Sequence, residues 1–162
     1  MKHFNTTDQT DQPRKTGFVD DYLLYLLAAA SDAASAQFHA HVRKAGLRVP
    51  EWRVLACLND QDGAMITHLA QIALVEQSRL TRIIVQMEER GLVQRANDPS
   101  DGRRVRIYLS DAGRSLITSV IPEARAHEQA LLAQLGEDGG TALKQALHRL
   151  LETLAQQKGG DN

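Results

Sequence analysis

The chain has 162 residues, of which 43% are hydrophobic, and a formal net charge of −1. This length suits a single domain that buries its own core, and no apolar run is long enough to cross a membrane. So low a net charge argues at first against nucleic-acid binding, because nucleic-acid-binding domains are usually basic. The single cysteine, Cys57, excludes an intrachain disulfide and favours a reducing compartment.

Both ends of the chain are polar. Residues 1–17 contain Pro13 and lack the apolar segment of a signal peptide, so we predict a disordered N-terminal arm. Residues 158–162 are predicted to form a disordered tail. Without a signal peptide or a membrane span, we expect a cytoplasmic protein that has no membrane partner.

A long amphipathic helix is predicted from Asp20 to Ala45. Asp20 and Asp21 suit the positive N-terminal end of the helix dipole, and Gly46 is suited to end the helix. A second helix is predicted for the segment from Val49 to Leu58, in which Leu55 and Leu58 should face a core.

The segment from Thr67 to Ala73 is predicted to form a short helix, and Leu74 to Glu76 the turn before a longer one. Between Gln77 and Arg90 apolar residues recur at steps of three and four, which leaves a polar face, and Gly91 suits the helix end. A helix that enters the major groove presents short polar groups and arginine near its N-terminal half, whereas an ordinary surface helix is the alternative. The residues of this face that we expect to bind DNA are Gln77, Ser78, Arg79, Thr81 and Arg82.

Two β-prone runs follow, Leu92 to Ala96 and Arg103 to Leu109, with turn residues between them. We predict a hairpin, called the wing below. Arg103 and Arg104 near its tip can reach phosphates or a narrow minor groove, and Asp101 can orient a neighbouring guanidinium. A solvated strand edge is the alternative. We therefore add Asp101, Arg103 and Arg104 to the predicted DNA-binding residues.

The predicted fold is mainly α with a small β-hairpin wing. Two helices joined by a tight turn and followed by a hairpin make a winged helix-turn-helix, which we place at residues 49–109. From Arg79 to Arg106 the chain has seven arginines against four carboxylates, a local charge of +3, so the remainder carries −4. The positive field is thus concentrated where DNA would lie.

Two more helices are predicted after the wing, from the cap Ser110 to about Leu135 and from about Asp138 to Gln156. Together, residues 18–48 and 110–157 carry more apolar surface than so small a domain can cover. We therefore predict that these are dimerisation helices of a two-fold homodimer, which would bind double-stranded DNA at an inverted-repeat operator. Folding back onto the same chain is the alternative.

Several short motifs of the chain occur together in one family. They are Leu69-Ala70, Ser78, Thr81-Arg82, Glu89 to Val93, the wing string Asp98 to Arg104, Leu109-Ser110 and Gly113. With these residues the chain resembles the MarR family of transcription regulators from about Val19 to Leu154. The resemblance implies that Arg103 enters the minor groove and that Asp101 holds it. It also implies a pocket for aromatic carboxylates or phenols where the dimerisation helices meet the winged domain.

Three residues should lie near that junction. Arginine suits a carboxylate, and tryptophan or histidine suits an aromatic ring. We therefore predict His39, Trp52 and Arg53 as ligand-binding residues for a small aromatic carboxylate or phenolic effector. Packing for Trp52 and an external salt bridge for Arg53 are the alternatives.

No cofactor and no metal site are predicted, because the histidines lack ligand spacing; His39 and His41 lie on opposite sides of a helix. Cys57 is expected on an apolar helix side, where a buried, inert thiol is the common outcome. No catalytic residues are predicted, because the chain has no triad order, phosphate loop or metal spacing, so we expect no enzyme. We expect a sequence-specific DNA-binding repressor released by an aromatic effector. A thiol-responsive regulator and a protein-protein adaptor without DNA binding are the alternatives.

Overall fold

The computed structural model describes residues 17–159, which form seven helices and one three-stranded sheet. Most of the predicted arm and tail, residues 1–16 and 160–162, lies outside the described residues. The described residues divide into two compact units, with the boundary between Ser35 and Ala36. The elements are α1 (Phe18–Asp21), α2 (Leu23–Lys44), α3 (Val49–Asp60), β1 (Ala64–Met65), α4 (Ile66–Ile72), α5 (Gln77–Glu89), β2 (Val93–Asn97), β3 (Val105–Leu109), α6 (Asp111–Ala133) and α7 (Gly136–Gly159).

The first long helix does not start where the sequence predicts. The predicted start at Asp20 is wrong, because α1 is a separate helix that ends at Asp21 and is followed by Tyr22, whose backbone is extended (φ −80°, ψ 115°). The Asp20 carboxylate accepts a hydrogen bond from the Gly17 amide (3.1 Å), and the Phe18 ring stacks on the Tyr22 ring with centroids 5.0 Å apart. The hydrogen bond from Gly17 caps the N-terminal end of α1, and α2 begins at Leu23, directly after the extended residue.

The second unit has one continuous apolar core. Leu55 and Leu58 of α3 are fully buried, as predicted, and the apolar face of α5 enters the same core. Gly91 has a φ of 70°, which is favourable only for glycine, and it ends α5 as predicted. The main core residues are Phe38, Val42, Leu47, Val54, Leu55, Leu58, Leu69, Leu80, Ile83, Ile84, Met87, Ile107 and Ile117.

A four-residue turn, residues 73–76, joins α4 to α5, one residue longer than the predicted turn from Leu74 to Glu76. Leu74 has a left-handed φ of 55°, and the Val75 amide donates to the Ala70 carbonyl (3.0 Å). This turn brings α5 back across α4 and completes the helix-turn-helix.

The sheet is antiparallel with strand order β1-β3-β2. Strands β2 and β3 form the predicted hairpin, with Val93 opposite Leu109. Strand β1 was missed by the sequence prediction; in the structure Ala64 pairs with Ile107. Two residues are too short to show an alternating pattern, so tertiary pairing alone defines this strand.

The start of α6 is tied to the end of α5. The Ser110 hydroxyl oxygen accepts from the Gly113 amide (2.9 Å) and donates to the Gly91 carbonyl (2.5 Å), which confirms the predicted cap. A Cβ atom on Gly113 would lie 2.0 Å from the Leu92 carbonyl oxygen, so glycine is needed for this close approach. Among residues 17–159, none of the helices is long and apolar enough to cross a membrane.

Candidate nucleic-acid interface and effector cleft

The N-terminal half of α5 turns its polar residues to solvent and its apolar residues to the core. The Thr81 hydroxyl donates to the Gln77 carbonyl (3.0 Å), so this side chain follows the helix surface. Such an orientation is what a helix that reads a DNA groove requires. The exposed residues are Gln77, Ser78, Arg79, Thr81 and Arg82, all of which the sequence predicts as DNA-binding.

Glu76 caps α5, a role that the sequence reasoning missed. Its carboxylate accepts hydrogen bonds from the Ser78 hydroxyl and from the amides of Ser78 (2.9 Å) and Arg79 (3.0 Å). These bonds, that of the Ser78 hydroxyl first, lower the pKa of Glu76. The ionised carboxylate therefore stands at the helix end that would meet phosphates. Glutamate is not among the common cap residues, so the sequence pattern does not reveal it.

Asp98 organises the wing loop. It is 4% exposed, and one of its oxygens accepts from the Ser100 amide (2.8 Å), the Ser100 hydroxyl (2.5 Å) and the Asp101 amide (3.2 Å). The other oxygen accepts from Arg106 Nε (2.5 Å), and a second Arg106 nitrogen donates to the Gly63 carbonyl (2.8 Å). The Ser100 hydroxyl and amide, followed by Arg106, hold the pKa of Asp98 well below its ordinary value. The loop is thus fixed to the sheet before any DNA arrives.

Asp101 contacts the two arginines of the wing tip in different ways. One carboxylate oxygen accepts from the Arg103 amide (3.1 Å), and the other lies 3.2 Å from Arg104 Nε. The family resemblance implied that Asp101 holds the Arg103 side chain. The structure differs, because the carboxylate holds Arg103 through its backbone and pairs with the guanidinium of Arg104.

The wing and α5, called the recognition helix below, face one concave surface, called the DNA cleft below. It has a volume of about 510 Å³, and its lining includes Gln77 of α5, Arg103 and Arg104 of the wing, and Thr67 of α4. Of the predicted DNA-binding residues, the structure brings Gln77, Arg103 and Arg104 together at this cleft. The others, Ser78, Arg79, Thr81, Arg82 and Asp101, are not among its lining residues.

Between Arg79 and Arg106, not every arginine adds to the positive electrostatic field at the DNA cleft. Four of them form ion pairs, Arg90 with Glu51, Arg95 with Glu88, Arg104 with Asp101 and Arg106 with Asp98. The positive potential therefore comes chiefly from Arg79, Arg82 and Arg103, and it is more focused than the residue count suggests.

A second cleft lies between α3 and α6, beside a cluster of aromatic rings. The Phe38 ring packs edge-on against the Trp52 ring (centroids 5.1 Å apart) and is stacked near the His127 ring (5.9 Å). This cleft, called the α3–α6 cleft below, has a volume of about 360 Å³. Its lining residues are Trp52, Ala56, Asn59, Asp60, Ile121, Ala124, Arg125 and Glu128.

The structure separates the three predicted ligand-binding residues. Trp52 lines the α3–α6 cleft, whereas neither the exposed Arg53 nor the half-buried His39 is among its lining residues. The arginine at this cleft is Arg125, which sequence reasoning missed. No local pattern could reveal it, because Arg125 and Trp52 meet only through the packing of α6 on α3.

Comparison with known proteins agrees with this geometry. A sequence model of the MarR family matches residues 47–105. The HTH-type transcriptional repressor IacR of Pseudomonas putida is 30% identical over 152 residues, which cover 94% of this chain and 86% of IacR. The crystal structure of a MarR family transcriptional regulator from Silicibacter pomeroyi DSS-3 is 55% identical, with a TM-score of 0.77 over 85% of this chain and 98% of that one. This chain belongs to the MarR family.

A further MarR-like structure contains a small aromatic acid. The crystal structure of NadR in complex with 4-hydroxyphenylacetate is 28% identical, with a TM-score of 0.69 over 76% of this chain and 88% of NadR. Membership of the MarR family confirms the winged helix-turn-helix fold and the role in transcription regulation that the helix and wing patterns predicted.

Cys57 is the single thiol of this MarR-family chain, and it is half-buried on α3. Burial first, and then the negative charge of Asp60, raises the pKa of the thiol, although Arg53 acts in the opposite direction. A raised pKa lowers the thiolate fraction and hence the reactivity toward oxidants. Among the residues that the structure describes, no cluster of three or more histidine, cysteine or acidic side chains could hold a metal ion.

Proposed function

We propose that this MarR-family protein is a homodimeric repressor that binds an inverted-repeat operator and is released by a small aromatic carboxylate or phenol. The observation that carries the DNA-binding part is the DNA cleft, where Gln77 of the recognition helix and Arg103 of the wing share one lining. A helix for the major groove and an arginine for the adjacent minor groove can then bind one face of a duplex. The similarity to the repressor IacR supports the sign of regulation.

Exposed apolar residues support the homodimer. Large apolar side chains normally lose contact with water, and contiguous exposed ones mark interaction surfaces. Residues 18–26 and α7 each carry such side chains, and a second copy of the chain is the partner that closed two-fold symmetry favours. The exposed residues are Phe18, Val19, Tyr22, Leu23, Leu24, Tyr25, Leu26, Leu143, Leu150, Leu151 and Leu154.

The α3–α6 cleft supports the aromatic effector. Trp52 offers a ring face that Phe38 holds in place, and Arg125 offers a guanidinium for a carboxylate. NadR, whose crystal structure contains 4-hydroxyphenylacetate, supports this ligand class. We propose Trp52 and Arg125 as the main contacts, and His39 and Arg53 stay predictions that variants can separate from them.

The DNA-binding part is tested by selecting duplexes from a random pool with the wild-type chain. We expect an inverted repeat whose half-sites are about 10 base pairs apart, and an affinity that falls steeply with salt because bound phosphates release counterions. Sedimentation at micromolar concentration should give a dimer. Selection of an unrepeated half-site, or a monomer in sedimentation, contradicts the proposal.

The effector part is tested by calorimetry with hydroxybenzoates, pyridine carboxylates and 4-hydroxyphenylacetate, with and without the selected operator. A true effector lowers operator affinity by about 5- to 150-fold, and by reciprocity the operator weakens effector binding by the same factor. A compound that binds equally in both states is not the effector, and a panel without any binding compound contradicts the aromatic class.

A further inference from the structure

The most completely buried carboxylate in the described part of the chain is not among the residues that line the DNA cleft. Glu51, in the first turn of α3, is 0% exposed. Its Oε1 atom accepts hydrogen bonds from an Arg48 nitrogen (2.8 Å) and an Arg90 nitrogen (2.9 Å), and its Oε2 atom accepts from the Arg48 amide (2.7 Å). Burial alone, the largest single contribution, raises the pKa of Glu51, but the hydrogen bonds from both arginines outweigh it and the net pKa is lowered. The group is therefore a buried anion at neutral pH.

The two arginines carry this contact to other helices. Arg90, the residue directly after α5, also donates to the carbonyl of Gly46, just beyond the end of α2 (2.6 Å). Arg48 also donates to the side-chain oxygen of Gln86, in the last turn of α5 (2.6 Å). One carboxylate thus links the end of α2, the start of α3 and the C-terminal turn of the recognition helix, all within the second unit. These five residues are called the Glu51 network below.

Stability alone is a weak reason for such a network. Removing two ionic groups from water costs free energy, and well-packed apolar residues are often as stable as a buried ion pair. A planar guanidinium that binds two acceptors fixes distance and angle, which an apolar contact does not. The network therefore sets a geometry, and what it orients is the recognition helix, whose opposite end carries Gln77 to Arg82.

The same turn of α3 reaches the α3–α6 cleft. Glu51 is followed by Trp52, whose ring contacts Phe38 and lines that cleft. Any displacement of this turn moves Trp52 and the Glu51 carboxylate together, because both belong to one helical turn. A path of direct contacts therefore runs from the cleft to the C-terminal end of α5.

We infer that Glu51 is a positioning residue for DNA reading: its buried carboxylate, with Arg48 and Arg90, sets the orientation of the recognition helix and links it to the α3–α6 cleft. The inference rests on the proposed DNA-binding function. Loss of the network leaves Arg79 and Arg82 able to neutralise phosphates, but it presents them to the bases at the wrong angle. Sequence discrimination then falls more than general DNA affinity.

The test compares Glu51→Gln with the matched control Glu88→Gln. Glu88 lies near the end of α5 and also forms an ion pair with an arginine. Its partner is Arg95 of β2, so this pair joins α5 to the sheet and not to α3. The readout is the ratio of affinity for the selected operator to affinity for an unrelated duplex, measured well below the unfolding temperature of each full-length variant. We expect the affinity ratio to fall about tenfold for Glu51→Gln, which is within the range of effects known for residues that do not touch the ligand. For Glu88→Gln we expect a fall of less than twofold.

A purely structural role for Glu51 predicts a different pattern. Partial unfolding lowers both affinities equally and leaves their ratio unchanged, and that result overturns the inference. If Glu51→Gln does not fold, Arg90→Lys replaces it, with Arg95→Lys as its control. Lysine keeps the charge but cannot hold the Glu51 carboxylate and the Gly46 carbonyl in one plane, so the ratio should again fall, and an unchanged ratio for a folded Arg90→Lys counts against the inference.

The link to the cleft is tested by a double-mutant cycle with Trp52→Ala. If both residues act through one turn of α3, the effects of Glu51→Gln and Trp52→Ala on the operator ratio should deviate from additivity by at least about threefold. Additive effects overturn the link to the cleft. A wild-type chain that selects no sequence overturns the proposed DNA-binding function and the inference with it, whereas a selected operator with unchanged variant ratios overturns the inference alone.

Discussion

The wing loop and the α3–α6 cleft are built in opposite ways. In the wing, Asp98 contacts Ser100, Asp101 and Arg106, all within eight positions of itself along the chain. Beside the cleft, the rings of Phe38, Trp52 and His127 come from three different helices, and His127 is far along the chain from the other two. The first site is fixed by local hydrogen bonds, and the second exists only because helices pack.

This difference has a consequence for regulation. A loop held by a nearly buried carboxylate keeps its shape whether or not DNA is present, so wing contacts should depend little on an effector. A cleft between two helices changes shape when either helix shifts, and small shifts of packed helices are the usual basis of switching. We therefore expect DNA binding to depend on the wing and α5, and effector binding on the α3–α6 cleft.

The largest effect is expected for the double variant Arg79→Ala/Arg82→Ala in the recognition helix. Operator affinity should fall about 100-fold, because each good arginine contact to a base or phosphate is worth about 1–3 kcal/mol. Fluorescence anisotropy with the selected operator measures this loss. Arg149→Ala on α7 removes a similar exposed charge away from the DNA cleft and should change affinity less than twofold. Loss of less than threefold for the double variant means that α5 is not the reading helix.

The second effect concerns the wing. Arg103→Ala should weaken operator binding about tenfold and leave the dimer intact, because a minor-groove arginine adds affinity with only A·T-versus-G·C discrimination. Arg104→Ala is the neighbouring control, and we expect a smaller loss because Arg104 pairs with Asp101. Replacing the A·T pairs that face the wing by G·C pairs should weaken the wild type and hardly affect Arg103→Ala. Equal affinity of Arg103→Ala and wild type at moderate salt contradicts the wing assignment.

The same contrast explains how much of the molecule could be predicted from sequence. The buried face of α5, its end at Gly91 and the Ser110 cap follow from short-range patterns, and all three were predicted correctly. Strand β1 was missed because two residues carry no period. The break at Tyr22 was missed because one residue with an extended backbone interrupts an apolar helical pattern that continues on both sides of it.

The candidate sites divide along the same line. All eight predicted DNA-binding residues belong to two short continuous segments, so a motif could indicate them together. The three predicted ligand residues were chosen from α2 and α3 alone, whereas the cleft beside Trp52 is completed by Arg125 of α6. Sequence patterns indicate which residues share a helix face, but they do not indicate which distant helix packs there.

The third effect tests the choice between Arg125 and Arg53. Arg125→Ala should weaken binding of 4-hydroxyphenylacetate about fivefold, since an exposed charge pair is worth up to about 1 kcal/mol. Binding of the uncharged 4-hydroxyphenylacetamide should not change, because it has no carboxylate for the guanidinium. Calorimetry on Arg125→Ala and Arg53→Ala, with the acid and with the amide, compares the two arginines. If Arg53→Ala, and not Arg125→Ala, selectively loses the acid, the sequence prediction is correct and the effector does not bind as proposed in the α3–α6 cleft.

The smallest effect is expected at Glu76, the cap of the recognition helix. The pKa of Glu76 is lowered, so its carboxylate is ionised at neutral pH. There its negative charge repels the phosphates that Arg79 attracts. Glu76→Gln should therefore bind an unrelated duplex about two- to threefold more tightly at low salt, and the gain should vanish as salt screens the charge.

Glu89→Gln removes the same charge from the other end of α5, roughly 20 Å away along the helix axis. That distance exceeds the screening length of about 10 Å at 0.1 M salt, so the control should match the wild type. Because the Glu76 carboxylate also holds the amides of Ser78 and Arg79, operator affinity should rise less than affinity for the unrelated duplex. Equal gains on both duplexes would mean that Glu76 acts only as a charge and adds nothing to the orientation of the reading face.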